Sequence, residues 1–236
     1  MVLIVAIIVA AFFLIVSGLA IFLTGRQKRV EIKNAGEKGE ELVAGFLRKI
    51  AEKYNGILFN DYCFEHKGGY STEIDHILVT KGGFFVIETK SNVGTVVGNQ
   101  FDEEWDLIKK HYQEDKTFKN PVKQNFKHIH FLGRAFRNVH PKMTNIVIFP
   151  YADISQVKAD NVFNLADAIN YICVQSAEEI FSEDYLISIY NELKSLKEKQ
   201  GITKKQHLQN IARIRKENKW FFDKINKSFQ LFAGIL

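Results

Sequence analysis

Glu73-Ile74-Asp75-His76-Ile77-Leu78-Val79-Thr80-Lys81-Gly82-Gly83-Phe84-Phe85-Val86-Ile87-Glu88-Thr89-Lys90 reads as a β-hairpin. Apolar, largely β-branched or aromatic runs flank Lys81-Gly82-Gly83, and a glycine pair there marks a tight turn because glycine accepts positive φ. With Gly82-Gly83 as the loop, Lys81 pairs with Phe84 and Asp75 faces Lys90, with Glu88 diagonal to Asp75. Side chains alternate along a strand, so Asp75, Glu88 and Lys90 share one face with Ile77, Val79, Phe84 and Val86. Charges at the edge of an apolar face need a reason, since burying one unpaired is costly. Two neighbouring carboxylates repel, and a hard divalent cation such as Mg²⁺, with Mn²⁺ as a substitute, relieves that repulsion through oxygen ligands. The adjacent lysine supplies positive charge where a phosphoryl transition state accumulates negative charge. Such a site acidifies water and supports attack on phosphorus. A plain salt-bridge cluster at a strand end accounts for the same three residues, and the pattern arises readily by chance in a chain that is 25% charged.

Working outward, residues 38–51 predict an amphipathic helix with Leu42, Val43, Phe46, Leu47 and Ile50 inward. Glu40 falls on its inner edge, within reach of the strand-end charges, while Glu41 points out; a glutamate early in a helix is also favoured by the helix dipole alone. Gly56 opens a strand over residues 57–64, closed by a turn at Lys67-Gly68-Gly69. Asn120-Pro121 starts a helix to about Phe136, with Asn as the cap and Pro in the first turn. Val122, Phe126, Ile129, Leu132 and Phe136 are expected inside. Gln124, in its first turn, is placed either to position a water or phosphate or simply to face solvent. A buried strand follows at residues 144–149, then helices at 165–172 and 182–198. This order predicts an α/β fold, helices packed around a mixed sheet.

Other chemistry is poorly supported. His128 and His130, two apart on a helix, cannot face one metal together. His76 points away from Asp75, and no phosphate-binding glycine-rich loop of the Walker type is present. Cys63 and Cys173 are far apart and read as core thiols in a reducing compartment.

The chain ends differ in kind. Val2 to Leu23 carries no charge, and 22 residues at 1.5 Å each give roughly 33 Å, enough to cross a bilayer core. No basic residue precedes this stretch, so an uncleaved anchor is expected rather than a signal peptide. Arg26, Lys28 and Arg29 behind it favour a single-pass protein with the soluble part cytoplasmic and the N-terminus outside. Residues 201–236 hold 8 basic and 2 acidic side chains against 24 and 25 in residues 1–200, so the net +5 divides into +6 and −1. That last segment predicts a basic amphipathic helix from about residue 203, with an apolar stripe of Leu208, Ile211, Ile214, Phe221, Ile225, Phe229 and Phe232. It has three readings over residues 203–232: packing on the domain or a partner helix, lying on the inner leaflet, or contacting nucleic-acid phosphates. The expected organisation is a transmembrane helix at 1–24, a basic linker at 25–35, a catalytic region at 36–150, a helical completion at 151–200 and the basic helix at 201–236.

Gly36-Glu37-Lys38-Gly39-Glu40, residues 73–79 and 83–90, then Gly94, Gly98, Trp105 and Asn120-Pro121-x-x-Gln124, together resemble the NERD (nuclease-related) domain of the PD-(D/E)xK nuclease superfamily. The resemblance spans about residues 36–135. It implies a restriction-endonuclease-like fold, a central mixed sheet flanked by helices, and a metal-dependent phosphodiesterase acting on DNA, less readily on RNA. In that reading Asp75, Glu88 and the carbonyl of Thr89 hold Mg²⁺, Lys90 is the catalytic lysine, and Glu40 and Gln124 support them. The alternative on the same fold is a catalytically silent, membrane-tethered module that binds nucleic acid or protein, since fold does not establish turnover.

Overall fold

The computed structural model describes residues 34–66, 68–109 and 115–214, together with residues 17, 22, 24, 26, 216, 217 and 219. Almost all of the apolar stretch 2–23, most of the linker at 25–35 and the stripe beyond Ile214 lie outside the described residues. Among the described residues no helix is long and apolar enough to cross a membrane.

The chain is mixed α/β, built on two mixed sheets flanked by helices. A helix over residues 34–53 (α1) precedes β1 (Ile57–His66), β2 (Tyr70–Thr80) and β3 (Gly83–Thr89). Three short strands follow, β4 (Thr95–Asn99), β5 (Glu104–Ile108) and β6 (Lys116–Lys119), then α2 (Pro121–Ala135) and β7 (Met143–Phe149). The chain continues through β8 (Asp153–Lys158), β9 (Val162–Asn164), α3 (Leu165–Ser176), α4 (Glu183–Gln200) and a helix over residues 204–214 (α5). The larger sheet has the order β1-β2-β3-β7-β9, antiparallel as far as β3 and parallel beyond it. The smaller has the order β6-β5-β4-β8, with β8 parallel to β4. Residues 151–164 therefore add strands to both sheets before the expected helices begin.

Both faces of the hairpin are buried, as its near-continuous apolar sequence requires. Ile77, Val79, Phe84 and Val86 pack with Leu132 of α2, Phe136 just after it, and Ile189, Leu193 and Leu196 of α4. Leu78, Phe85 and Ile87 pack the other way, on Val43, Leu47 and Ile50 of α1 and Ile172 of α3. The smaller sheet joins through Trp105, whose ring lies 6.4 Å from that of Phe149.

Three expectations need correction. The two-residue turn falls one residue earlier than predicted, which shifts the register by two: Thr80 pairs with Gly83 and His76 with Ile87, so the loop is Lys81-Gly82 and Asp75 comes opposite Glu88 rather than Lys90. An even shift leaves every side chain on its predicted face, because the strand period is two. Neither Gly82 nor Gly83 has positive φ. Gly82 is needed for close approach instead, since a Cβ there would sit 1.8 Å from the carbonyl oxygen of Gln175 at the end of α3. Phe126 and Leu42, expected inside, are 62% and 36% exposed, and Leu208 of the C-terminal stripe is 55% exposed. On α2 the interior position belongs to Asn125, whose Nδ2 reaches the carbonyls of Val86 and Ile146 and the side chain of Asn145, holding the helix to β3 and β7.

Candidate active site

Asp75, Glu88, Lys90 and Gln124 converge at the open end of the hairpin. Lys90 Nζ donates to Glu88 Oε1 at 2.6 Å and to Gln124 Oε1 at 3.1 Å. Gln124 Nε2 donates to the same Glu88 oxygen at 2.7 Å. The amide is thus committed to aligning carboxylate and ammonium, a different task from the water or phosphate contact predicted for it. Asp75 Oδ2 accepts from the Thr89 amide at 2.8 Å. Thr89 itself is buried, and its Oγ1 has no hydrogen-bond partner.

Gln124 owes its position to Asn120. The Asn120 Oδ1 caps α2 by accepting from the amides of Val122 and Lys123, and its Nδ2 reaches the carbonyls of Asn99, Gln100 and Asp102. One residue therefore fixes the helix N-terminus to the β4–β5 loop of the smaller sheet. From the other face of the larger sheet α1 brings Glu40 to the same end. Gly39 allows this, because a Cβ there would meet Ser91 Oγ at 1.9 Å.

The electrostatics are unresolved in a specific way. Burial, then the charge of Glu88, pushes the Asp75 carboxyl well above the usual carboxylate range, against the Thr89 amide and Lys90. Burial pulls the Lys90 ammonium down, but the charge and hydrogen bond of Glu88, with Asp75 and Glu40 behind, hold it above its ordinary value. Burial also raises Glu40, with Lys204 opposing. Asp75, which resists ionisation beside Glu88 with one lysine near, sits where positive charge is short.

Three participants were missed. His128 Nε2 lies 3.6 Å from Glu88 Oε2, buried and without a hydrogen-bond partner. Burial, ahead of the attraction of Glu88, lowers its pKa, so the ring is neutral at pH 7. The sequence signal was its spacing four residues after Gln124, one helical turn along the same face; comparison with His130 obscured it. The other two come from α5. Lys204 Nζ lies 2.7 Å from Glu73 Oε1, 2.9 Å from Asp61 Oδ1 and 3.3 Å from Glu40 Oε2. His207 Nδ1 bonds Ser71 Oγ at 2.8 Å. Residues 204–214 thus dock on the domain through polar groups rather than through Leu208. His76, as expected, turns away from Asp75 and pairs with Asn60 Oδ1 at 2.8 Å. Cys63 and Cys173 are free thiols, Cys63 fully buried.

Asp75 and Gln124 line a cleft of about 600 Å³, while Glu88, Lys90 and Glu40 lie behind its wall. Asp75 lies at its floor, with Gln124, His128 and Lys127 on the α2 side and His207 and Ile211 on the α5 side. Among the described residues no three His, Cys, Asp or Glu side chains are arranged to hold a metal. The donor set that fits a hard cation is smaller, two carboxylates plus backbone oxygen. Mg²⁺ suits such a set, since it keeps several waters and binds through one or two carboxylates plus substrate phosphates.

Residues 35–150 match the model of the NERD family, the nuclease-related domain, which supports placing this part of the chain in that family. The chain is also 28% identical over 189 residues to an uncharacterized protein of Bacillus anthracis, covering 78% of this chain and 86% of the relative. That alignment is longer than the family match, so the likeness runs beyond it. No solved structure matches the chain.

Proposed function

We propose that the protein is a membrane-anchored, metal-dependent phosphodiesterase that hydrolyses DNA, less readily RNA, on a restriction-endonuclease-like fold. The observation that carries this reading is the meeting of Asp75 and Glu88, a carboxyl pair in electrostatic conflict, with a lysine held by one of them. Asp75, Glu88 and the Thr89 carbonyl would hold Mg²⁺ or Mn²⁺. When bound, that ion supplies Lewis-acid charge to phosphoryl oxygens and acidifies water. The chain's own groups do the rest. Lys90 presents a fixed ammonium toward charge developing on phosphorus, which needs no reorganisation at the moment of reaction. Gln124 keeps Lys90 and Glu88 in line, and Glu40 adds negative charge behind them. Residues 2–23 would anchor the chain, leaving the cleft in the cytoplasm.

The test uses the full-length chain in mild detergent beside its Asp75→Asn variant. Linear, circular and single-stranded DNA, and RNA, are incubated with Mg²⁺, Mn²⁺ or EDTA. Cleavage that requires both the metal and Asp75 is the expected result. Metal-independent, salt-sensitive binding without product in any lane would instead support the silent binding module.

A further inference from the structure

Beside the cleft lies a ledge that this chemistry does not use. Phe101, in the β4–β5 loop, and Phe126, on α2, are 78% and 62% exposed. Together with Val122, Lys123 and Lys127 they line a second depression of about 570 Å³. Glu103, Lys123 and Lys127 also line the cleft, so the two spaces adjoin.

The ledge is held in place. Lys123 Nζ donates to the Phe101 carbonyl and to Glu103 Oε1, both at 2.6 Å, and the Phe101 amide donates to Asn99 Oδ1 at 2.8 Å. Two aromatic rings are therefore presented to solvent by backbone fixed on either side. Burying such rings is the ordinary outcome of folding, and here both are left out.

Charge runs away from the ledge in one sign. Beyond Lys123, which is paired with Glu103, Lys127, Arg134 and Arg137 recur with His130 at three- or four-residue spacing, forming a stripe along α2 and just past its C-terminal end. Lys127, His130, Arg134 and Arg137 are exposed, and the helix contains no acidic residue. A merely solvated helix face mixes its signs. Rings beside a cationic track are what an unpaired nucleic-acid strand requires: a π-face for each base and a positive charge for each phosphate. A duplex keeps its base faces stacked inside and gains nothing from the rings.

We propose that this ledge binds single-stranded nucleic acid, with bases stacked on Phe101 and Phe126 and phosphates along the α2 stripe. The strand then enters the Asp75 cleft past Lys127, a direction that rests on the nuclease reading. The substrate class is thus an unpaired end or flap rather than an intact duplex.

Binding is measured by fluorescence anisotropy on the full-length chain in EDTA, so that turnover plays no part. The probes are oligo-dT and oligo-U of about 20 nucleotides and a duplex of equal length. Phe101→Ala and Phe126→Ala should each weaken single-strand binding on the order of tenfold, with duplex binding changed less than about twofold. Phe126→Trp should retain affinity. Lys127→Glu should weaken all probes and lower the salt slope by about one. Comparison of the dT and U probes sorts DNA from RNA. Equal losses on single strand and duplex, no loss from either ring, or no affinity for any probe would each overturn the ledge. Cleavage is scored separately: ring-dependent binding without metal-dependent product sinks the nuclease reading alone, and cleavage indifferent to both rings sinks the ledge alone.

Discussion

The two ends of the β2–β3 hairpin are built from the same strands at similar depth, yet they treat polar groups in opposite ways. At the turn, Thr80 Oγ1 donates to Ser176 Oγ and accepts from the Gly82 amide, both at 3.2 Å. The Lys81 carbonyl accepts the amides of Ile180 at 2.9 Å and Phe181 at 2.8 Å. At the open end Asp75 and Glu88 oppose one another, and Thr89 Oγ1 and His128 Nε2 are buried without hydrogen-bond partners. Burial normally demands that polar groups be satisfied. The turn obeys this rule and the open end departs from it. Unfinished pairing alone does not mark a site, because Asn125 Oδ1 and His76 Nε2 are also buried without hydrogen-bond partners outside the Asp75–Glu88 group.

The sharpest way to break this comparison is at Lys90. Lys90→Met keeps the length of the side chain but removes its charge, and turnover should fall roughly 10²–10³-fold. Thermal unfolding should also drop, because Glu88 loses the ammonium that offsets its buried charge, so turnover is compared per folded molecule. Cleavage at the parental rate would remove the lysine from the chemistry. At the other end the loss should be structural. Gly82→Val places a Cβ against the Gln175 carbonyl, costing about 3 kcal/mol through overpacking. Catalysis per folded molecule should persist, and a Gly82→Val protein as stable as its parent would refute the close approach.

The faces of β2 differ as well as its ends. Asp75 looks into the cleft, whereas His76, one residue on, is buried against Asn60 and its pKa is lowered by burial to about 4 from an ordinary 6.5. A base depressed in the fold stabilises it fully above pH 6.5. That contribution is lost as pH falls from 6.5 towards 4, where the unfolded chain takes up the proton first. Wild type should therefore lose on the order of 2 kcal/mol across this window, and His76→Gln should show a flatter profile. Parallel pH profiles for the two proteins would assign the acid sensitivity elsewhere.

How far these features were readable follows from how local their causes are. The hairpin, its faces and the meeting of Asp75, Glu88 and Lys90 depend on alternation, which survived a two-residue error in register. Asn120-Pro121 disclosed the start of α2, and Gln124 followed. The smaller sheet stayed hidden, because β4 finds β8 some fifty residues later and strands of four to six residues carry little pattern of their own. Lys204 and His207 join the cleft edge through tertiary docking alone. Phe126 was misplaced because an apolar period was trusted over Asn125, whose three interior hydrogen bonds no periodicity displays.

The smallest predicted effect separates the hairpin ends most cleanly. Thr80 and Thr89 are both buried threonines on neighbouring strands. Thr80→Val deletes the acceptor of the Gly82 amide and the donor to Ser176, leaving two buried groups unpaired. It should cost about 1 kcal/mol, a fall in Tm of about 2–4 °C. Thr89→Val removes a hydroxyl that already has no partner while keeping the shape and the amide that serves Asp75. Replacing an unsatisfied polar group by an apolar one of equal shape is neutral or stabilising. The two variants should therefore move Tm differently, with Thr89→Val unchanged or higher. Equal losses at both positions would mean that Thr89 Oγ1 is satisfied in solution, and that the open end of the hairpin is as fully paired as the turn.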